Sequence, residues 1–197
     1  NETDRKVAES ESGSDFEDFL MSCEFRLEMR MPEPSELARV AELIQRTNQM
    51  NATLNRSDLS EVQRLFEDEN VTILISKLGD KFGDYGIIGV IIAVTNNSNL
   101  LIKELAFSCR AMGRKVEHSL IEELIGIARE GGISIIEIAV TKTSRNNQII
   151  ATLGEIEFNE VEVGSGDAST FQLEIDDISG RRFPPWFSIT EGIGDWG

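Results

Sequence analysis

The sequence predicts an α/β domain, a mixed twisted sheet flanked by helices and built around one central β-α-β crossover. Three observations carry this. An apolar strand, Leu100–Phe107, runs through a glycine-containing turn into an amphipathic helix, Gly113–Glu130. Val116, Leu120, Leu124 and Ile127 share the inner face of that helix, and Gly131-Gly132 stops it. The next run, Ile133–Thr141, is almost continuously apolar, as expected of a strand buried on both faces in a parallel crossover.

The other elements follow in order. Residues 1–14 are polar and acidic without an apolar period, and read as a flexible leader. Asp15–Met21 forms a short helix capped by Ser14, and Glu24–Arg30 alternates apolar and charged residues like a half-buried strand. After Pro32 and Pro34, Ser35 caps a helix reaching to about Asn48, with Leu37, Val40, Ala41 and Ile44 inside. A polar loop, Asn48–Asn55, leads to a second helix capped by Ser57, whose stripe is Leu59, Val62, Leu65 and Phe66. Val71–Leu78 and Gly86–Val94 are strands joined by the loop Gly79–Tyr85, and Asn96–Asn99 turns into Leu100–Phe107. A short helix at Asn146–Leu153 and strands at Ile156–Val163 and Thr170–Ile175 complete the order β-α-α-β-β-β-α-β-α-β-β. The domain so defined spans 15–178, and 179–197 reads as an irregular C-terminal tail.

Composition narrows the function. A formal net charge of −16 in 197 residues excludes a nucleic-acid binder or an anionic membrane surface as partner. With one histidine and two cysteines, Cys23 and Cys109, no multi-His zinc site is expected, and no metal. Two thiols without C-x-x-C spacing suit a reducing, cytoplasmic compartment. The chain begins at Asn1 and not at Met, which points to a domain of a longer protein. The acidic run Glu155–Asp177, without Lys or Arg, reads as a solvated face.

The segment Ser108–Val116 is the best candidate for ligand binding. A strand turning through glycine into a helix start leaves backbone N–H groups without partners, at the positive end of the helix dipole. Arg110, Arg114 and Lys115 add positive charge there. Cys109 reads either as a nucleophile activated by that field or as a small core residue. His118 reads either as a base or as a structural helical residue. Asn146 caps the last helix and is within reach of the ligand.

The element order, with a phosphate-cradling turn after the fourth strand, resembles the GNAT N-acyltransferase fold. Its signature Arg/Gln-x-x-Gly-x-Gly/Ala corresponds to Arg110-Ala-Met-Gly113-Arg-Lys115. A closer resemblance covers roughly Phe16 to Phe158. The blocks Leu37–Asn51, Phe82–Val90 and Ser108–Glu117 look like the C-terminal region of FkbH-like proteins. Complete members carry a phosphatase domain of haloacid-dehalogenase type, and load a glyceryl group onto an acyl carrier protein for polyketide synthesis. No Asp-x-Asp-x-Thr motif of that phosphatase occurs here.

The resemblance implies coenzyme A or a phosphopantetheine arm as cofactor. The N–H groups of Met112, Gly113, Arg114, Lys115 and Val116 hold its phosphate, and Arg110 and Arg114 add charge-assisted bonds. It also implies an acceptor cleft lined by Thr47, Asn48, Asn51 and Thr53, residue types equally at home at helix ends and turns. Asp84 and Tyr85, on the loop between two core strands, are further substrate-binding candidates. Two positions depart from the pattern: Lys115 replaces the last glycine, and Leu153 stands where GNAT enzymes often carry a proton-donating tyrosine.

The reading that follows is an acyltransferase-type module acting on acyl, including glyceryl, thioesters of a carrier protein or coenzyme A. Its partners are an acyl carrier protein or acyl-CoA and a phosphatase-type domain of the same parent. Two alternatives stand beside it: a non-catalytic docking domain of a larger FkbH-like enzyme, and an acetyl-CoA-dependent N-acetyltransferase.

Overall fold

A computed structural model describes residues 14–163, 167–175 and 184–192. The chain opens with helix α1 (Ser14–Ser22) and strand β1 (Phe25–Arg30). A 3₁₀ turn, Pro34–Glu36, leads into α2 (Leu37–Arg46), and α3 (Leu59–Phe66) follows. Three antiparallel strands come next: β2 (Val71–Asp80), β3 (Gly83–Asn96) and β4 (Asn99–Phe107). Helix α4 (Val116–Glu130) crosses over to β5 (Ile135–Thr141), which is parallel to β4. Then come α5 (Asn147–Glu155), β6 (Asn159–Val163), β7 (Ala168–Glu174) and β8 (Phe187–Gly192). All eight strands form one sheet in the order β6-β7-β5-β4-β3-β2-β1-β8.

Each face of the sheet carries its own core. Leu37, Val40, Ile44 and Val62 of α2 and α3 pack on Ile73, Ile75, Val90, Ile92 and Ala106. The opposite face packs Leu20, Leu120, Leu124, Ile149 and Leu153 of α1, α4 and α5 on Leu74, Ile88, Ile91, Leu105 and Ile136. The α/β class and the mixed sheet flanked by helices are therefore as the sequence predicts.

Several boundaries differ, each for a local reason. Segment 187–192, expected within an irregular tail, is a strand parallel to β1. Pro184, Pro185 and the flanking glycines hid it, and the Phe25 and Phe187 rings pack 5.7 Å apart across the pair. Helix α3 is capped by Asp58, whose Oδ1 accepts from Glu61 N–H at 2.9 Å, while Ser57 turns to Glu104 instead. Ser35 lies inside the 3₁₀ turn, which Glu33 and Glu36 close with a reciprocal capping box. The β2–β3 loop is a tight turn: Asp80 Oδ1 accepts from the N–H groups of Phe82 and Gly83, so Asp84 and Tyr85 belong to β3. Strand β5 is buried on one face and partly exposed on the other, not buried on both. Residues 1–13, 176–183 and 193–197 of the expected leader and tail lie outside the described residues.

Two bulges shape the centre of the sheet. In β3 the pairing with β2 skips Ile88, and on the other side the Ile88 carbonyl accepts Ser108 N–H at 2.7 Å, which anchors the turn after β4. In β4 the pairing skips Lys103, and just before that point, at Ile102–Ile138, the pairing of β4 with β5 stops. Beyond it the two strands no longer pair, over the half of β4 that runs into the turn.

Candidate functional site

The turn Ser108–Lys115 is built from short, local bonds. Ser108 Oγ accepts Arg110 N–H, and the Cys109 carbonyl accepts Met112 N–H at 3.2 Å. Gly113 has φ +76° and Lys115 φ +62°, left-handed conformations that reverse the chain into α4. Lys115 is the N-cap of α4 and offers no side-chain cap. The N–H groups of Val116, Glu117 and His118, in the first helical turn, have no intrahelical partner. Arg110 is exposed beside them, and Gly113 leaves the backbone bare.

The three basic residues separate into different jobs. Arg114, expected to meet phosphate with its side chain, is 1% exposed. Its guanidinium lies 5.2 Å from the Tyr85 ring centroid and 5.9 Å from that of Phe25, and donates to the Arg110 carbonyl. The Arg114 carbonyl accepts Trp186 Nε1–H at 2.9 Å. Arg114 is thus an internal strut of the turn: cation–π packing on two rings holds it inward. Lys115 reaches Glu155 Oε2 at 2.7 Å. Arg110 is exposed and Lys115 partly so, but the Lys115 charge is paired with Glu155.

His118, a catalytic candidate, has Nε2 2.8 Å from the same Glu155 oxygen and Nδ1 3.4 Å from Glu117 Oε1. Lys115 and His118 hold the Glu155 carboxyl below its ordinary range. Both imidazole nitrogens therefore face carboxylates and neither faces open space. Cys109 is exposed at the head of the turn. Met112 packs partly buried against the core, and Val116 is fully buried. Among the described residues no three or more His, Cys, Asp or Glu side chains converge as a metal site. Among them, too, no helix is long and apolar enough to cross a membrane.

The residues expected to face substrate make bonds within the framework. Thr47 Oγ1 donates to the Leu43 carbonyl, and Asn48 Oδ1 accepts from Arg56. Arg56 also caps the end of α2, donating to the carbonyls of Ile44, Gln45 and Thr47. Asn51 is fully buried: its Nδ2 donates to the Ile44 carbonyl and its Oδ1 accepts Leu54 N–H at 2.8 Å. Tyr85 is 5% exposed and donates to Asp80 Oδ2 at 2.7 Å, and Asp84 Oδ1 accepts Gly86 N–H. Asn146 is buried and gives α5 no side-chain cap, contrary to expectation. Its Oδ1 accepts from Thr143 N–H and Oγ1–H, and its Nδ2 donates to the carbonyls of Asn51 and Thr141.

The structure thus forms two groups. Cys109, Arg110, Met112–Val116 and His118 share the turn, with Tyr85 beneath Arg114. Asn51 and Asn146 meet at the gap between β4 and β5, and Thr47 and Asn48 lie at the end of α2 that leads to it.

One residue near the gap escaped the sequence reading. Glu104, in the middle of β4, is 1% exposed and accepts from Thr53 Oγ1 at 3.1 Å and from the Ser57 hydroxyl at 2.5 Å. Burial pushes its carboxyl up, against the pull of those hydrogen bonds. The signal was a charged pair, Lys103-Glu104, inside an otherwise apolar strand.

Neither a family model nor a curated protein matches the sequence. Solved structures do. The ribosomal-protein-S18-alanine N-acetyltransferase of Escherichia coli aligns over 80% of this chain and 98% of its own, at TM-score 0.59 and 16% identity. A GNAT-family acetyltransferase of Staphylococcus aureus aligns over 76% and 99%, at TM-score 0.57 and 11% identity. The PaiA N-acetyltransferase of Thermoplasma acidophilum, solved in complex with coenzyme A, aligns over 75% and 98%, at TM-score 0.57 and 15% identity. At these identities the likeness speaks for architecture, and the chain has the fold of the GNAT acetyltransferases.

Proposed function

We propose that this chain binds an acyl thioester of coenzyme A through the turn after β4 and acts as an acyltransferase, an N-acetyltransferase in its simplest form. The observation that carries this is the turn itself: bare N–H groups at the start of α4, a left-handed glycine and the exposed Arg110. Support comes from PaiA, which shares the fold and was solved with coenzyme A. In this reading the N–H groups of Gly113 to Val116, with those that follow in the first turn of α4, and the Arg110 guanidinium take the phosphate. Cys109, at the head of the turn, offers an exposed thiol as a nucleophile beside it.

A second reading is favoured by a specific observation: the groups that would move protons are already engaged. His118 Nε2 is bonded to Glu155 with its Nδ1 buried near Glu117, Tyr85 bonds Asp80, and Leu153 is buried in the core. This suits a docking domain that positions the phosphopantetheine arm of an acyl carrier protein. The FkbH-like blocks supply the setting, with a phosphatase-type domain on the same parent and glyceryl or related acyl groups as cargo.

Titration calorimetry with coenzyme A tests the phosphate site. Arg110→Ala should weaken binding about five- to tenfold, the worth of one charge-assisted contact. Gly113→Asp should abolish binding, since it places a carboxylate among the N–H groups at a φ of +76°. Unchanged affinity in both variants refutes the site. Binding without turnover of acetyl-CoA on any amine tried, together with binding of a phosphopantetheinylated carrier, selects the docking reading.

A further inference from the structure

Beyond Ile102 and Ile138, β4 and β5 no longer pair with each other. Their facing edges would leave backbone groups orphaned in a dry core, a costly state. Residues Met50–Thr53 fill that gap. Phe107 N–H donates to the Met50 carbonyl at 2.8 Å, and Ala52 N–H to the Leu105 carbonyl at 3.0 Å, forming an antiparallel bridge centred on Asn51 and Ala106. On the other side Thr141 N–H donates to the Ala52 carbonyl at 3.0 Å, and Thr141 Oγ1 to the Thr53 carbonyl. Ala52 thus joins the two strands, bonding β4 through its N–H and β5 through its carbonyl. Met50, Asn51 and Ala52 are completely buried.

The position of this segment gives it meaning. Phe107 is the last residue of β4, and the phosphate-binding turn begins at Ser108. A ligand anchored by phosphate at the turn and extended inward along β4 meets Phe107 N–H and the Leu105 carbonyl first. A phosphopantetheine arm carries amides along its length, so its hydrogen-bonding pattern is that of a peptide strand. We propose that Met50–Thr53 is a built-in strap holding the place of such an arm. Docking of the strap and inward binding of an amide-bearing thioester arm exclude one another. Side chains lock the strap from three directions: Asn51 Nδ2 on the Ile44 carbonyl, Thr53 Oγ1 on Glu104, and Asn146 Nδ2 on the Asn51 carbonyl.

The inference rests on the phosphate-turn reading, and one experiment separates the two. Coenzyme A and adenosine 3′,5′-bisphosphate, which has the phosphates but no arm, are titrated into the full chain and into Thr53→Val and Ala52→Pro variants. Ala52→Pro removes the N–H that bonds Leu105, and Thr53→Val is the milder change if the first fails to fold. Amide hydrogen exchange is followed at Phe107 and Thr141. The expected result is strong protection of both amides in the wild type, lost by at least tenfold in the variants. Coenzyme A affinity should rise about tenfold in the variants while bisphosphate affinity stays the same. Equal coenzyme A affinity in all three proteins overturns the strap and leaves the phosphate site standing. So does rapid exchange of Phe107 and Thr141 in the unliganded wild type. Failure of both ligands to bind any of the proteins overturns the phosphate site and the strap with it.

Discussion

Glu155, at the end of α5, accepts from Lys115 Nζ at 2.7 Å and lies 2.8 Å from His118 Nε2, so that one carboxylate ties α5 to the start of α4. The tie diverts Lys115 from the turn it caps.

Glu155→Gln should release Lys115 toward the turn and remove a negative charge from beside it. Coenzyme A should then bind about three- to tenfold more tightly, and the gain should shrink as salt is raised, because these groups are exposed. The stability cost should be small, a few tenths of a kcal/mol, as for other exposed pairs. The measurement is calorimetric affinity at low and high ionic strength; tighter binding in neither sinks the idea.

Gly89 on β3 lies where the sheet meets α4 and the end of β4. A methyl group there would sit 2.5 Å from Ser76 Oγ, 3.0 Å from Phe107 Cδ1 and 3.1 Å from Leu120 Cδ2. Rotation of Ser76 relieves the first contact only. Gly89→Ala should therefore destabilise the fold by about 1–3 kcal/mol, the usual cost of overpacking. Chemical denaturation should show a lower midpoint with an unchanged slope.

Glu36 receives both Nη groups of Arg30, at 2.7 and 2.8 Å, and Lys77 Nζ at 2.8 Å. The Arg30 guanidinium holds its carboxyl far below the ordinary carboxylate range. A carboxyl depressed in the folded state adds stability above its unfolded value, and loses it as pH falls through the folded one. Glu36→Gln should cost about 1–2 kcal/mol at pH 7, where a bidentate pair and a second cation are lost. The difference from wild type should shrink steadily below about pH 4.3, where the unfolded carboxyl takes up its proton. Thermal melts of both proteins from pH 7 to pH 2 check the sign.

How much of this was legible in the sequence divides along the range of the interactions. The Leu100–Thr141 crossover was readable because periodicity and the Gly131-Gly132 stop are local signals. Strand β8 was not, because Phe187–Gly192 is too short and too closely flanked by prolines and glycines to show its pairing with β1. The turn through Gly113 into a helix start was readable from local chemistry, because a glycine between an apolar strand and an amphipathic run is a local signal. The fate of its cations was not: Arg114 turns inward onto Phe25 and Tyr85, and Lys115 onto Glu155, partners distant in sequence. Asn51 and Asn146 looked like ligands or caps because amides suit both. Only the gap between β4 and β5 shows that they serve a segment filling the sheet.

Glu104 shows the opposite titration from Glu36. Burial pushes its carboxyl up, so ionisation costs the folded state free energy that the hydroxyls of Thr53 and Ser57 only partly return. A carboxyl raised in the folded state contributes stability that is fully present below its unfolded pKa and is lost as pH rises through the folded one. Glu104→Gln removes that ionisation while keeping an acceptor for one hydroxyl and a shape close to the original. At pH 7 the variant should match or exceed wild type in stability by up to about 1 kcal/mol, within the range of one hydrogen bond. At pH 4 the order should reverse, because the protonated wild-type carboxyl then makes the same bonds without strain. Glu104→Ala, which opens a cavity beneath Thr53 and removes the acceptor of both hydroxyls, leaving Thr53 only its long contact with Asn51, should lose about 2–3 kcal/mol at either pH. A Gln variant less stable than wild type at pH 7 but equal to it at pH 4 would show that the buried carboxylate is stabilising in its ionised form.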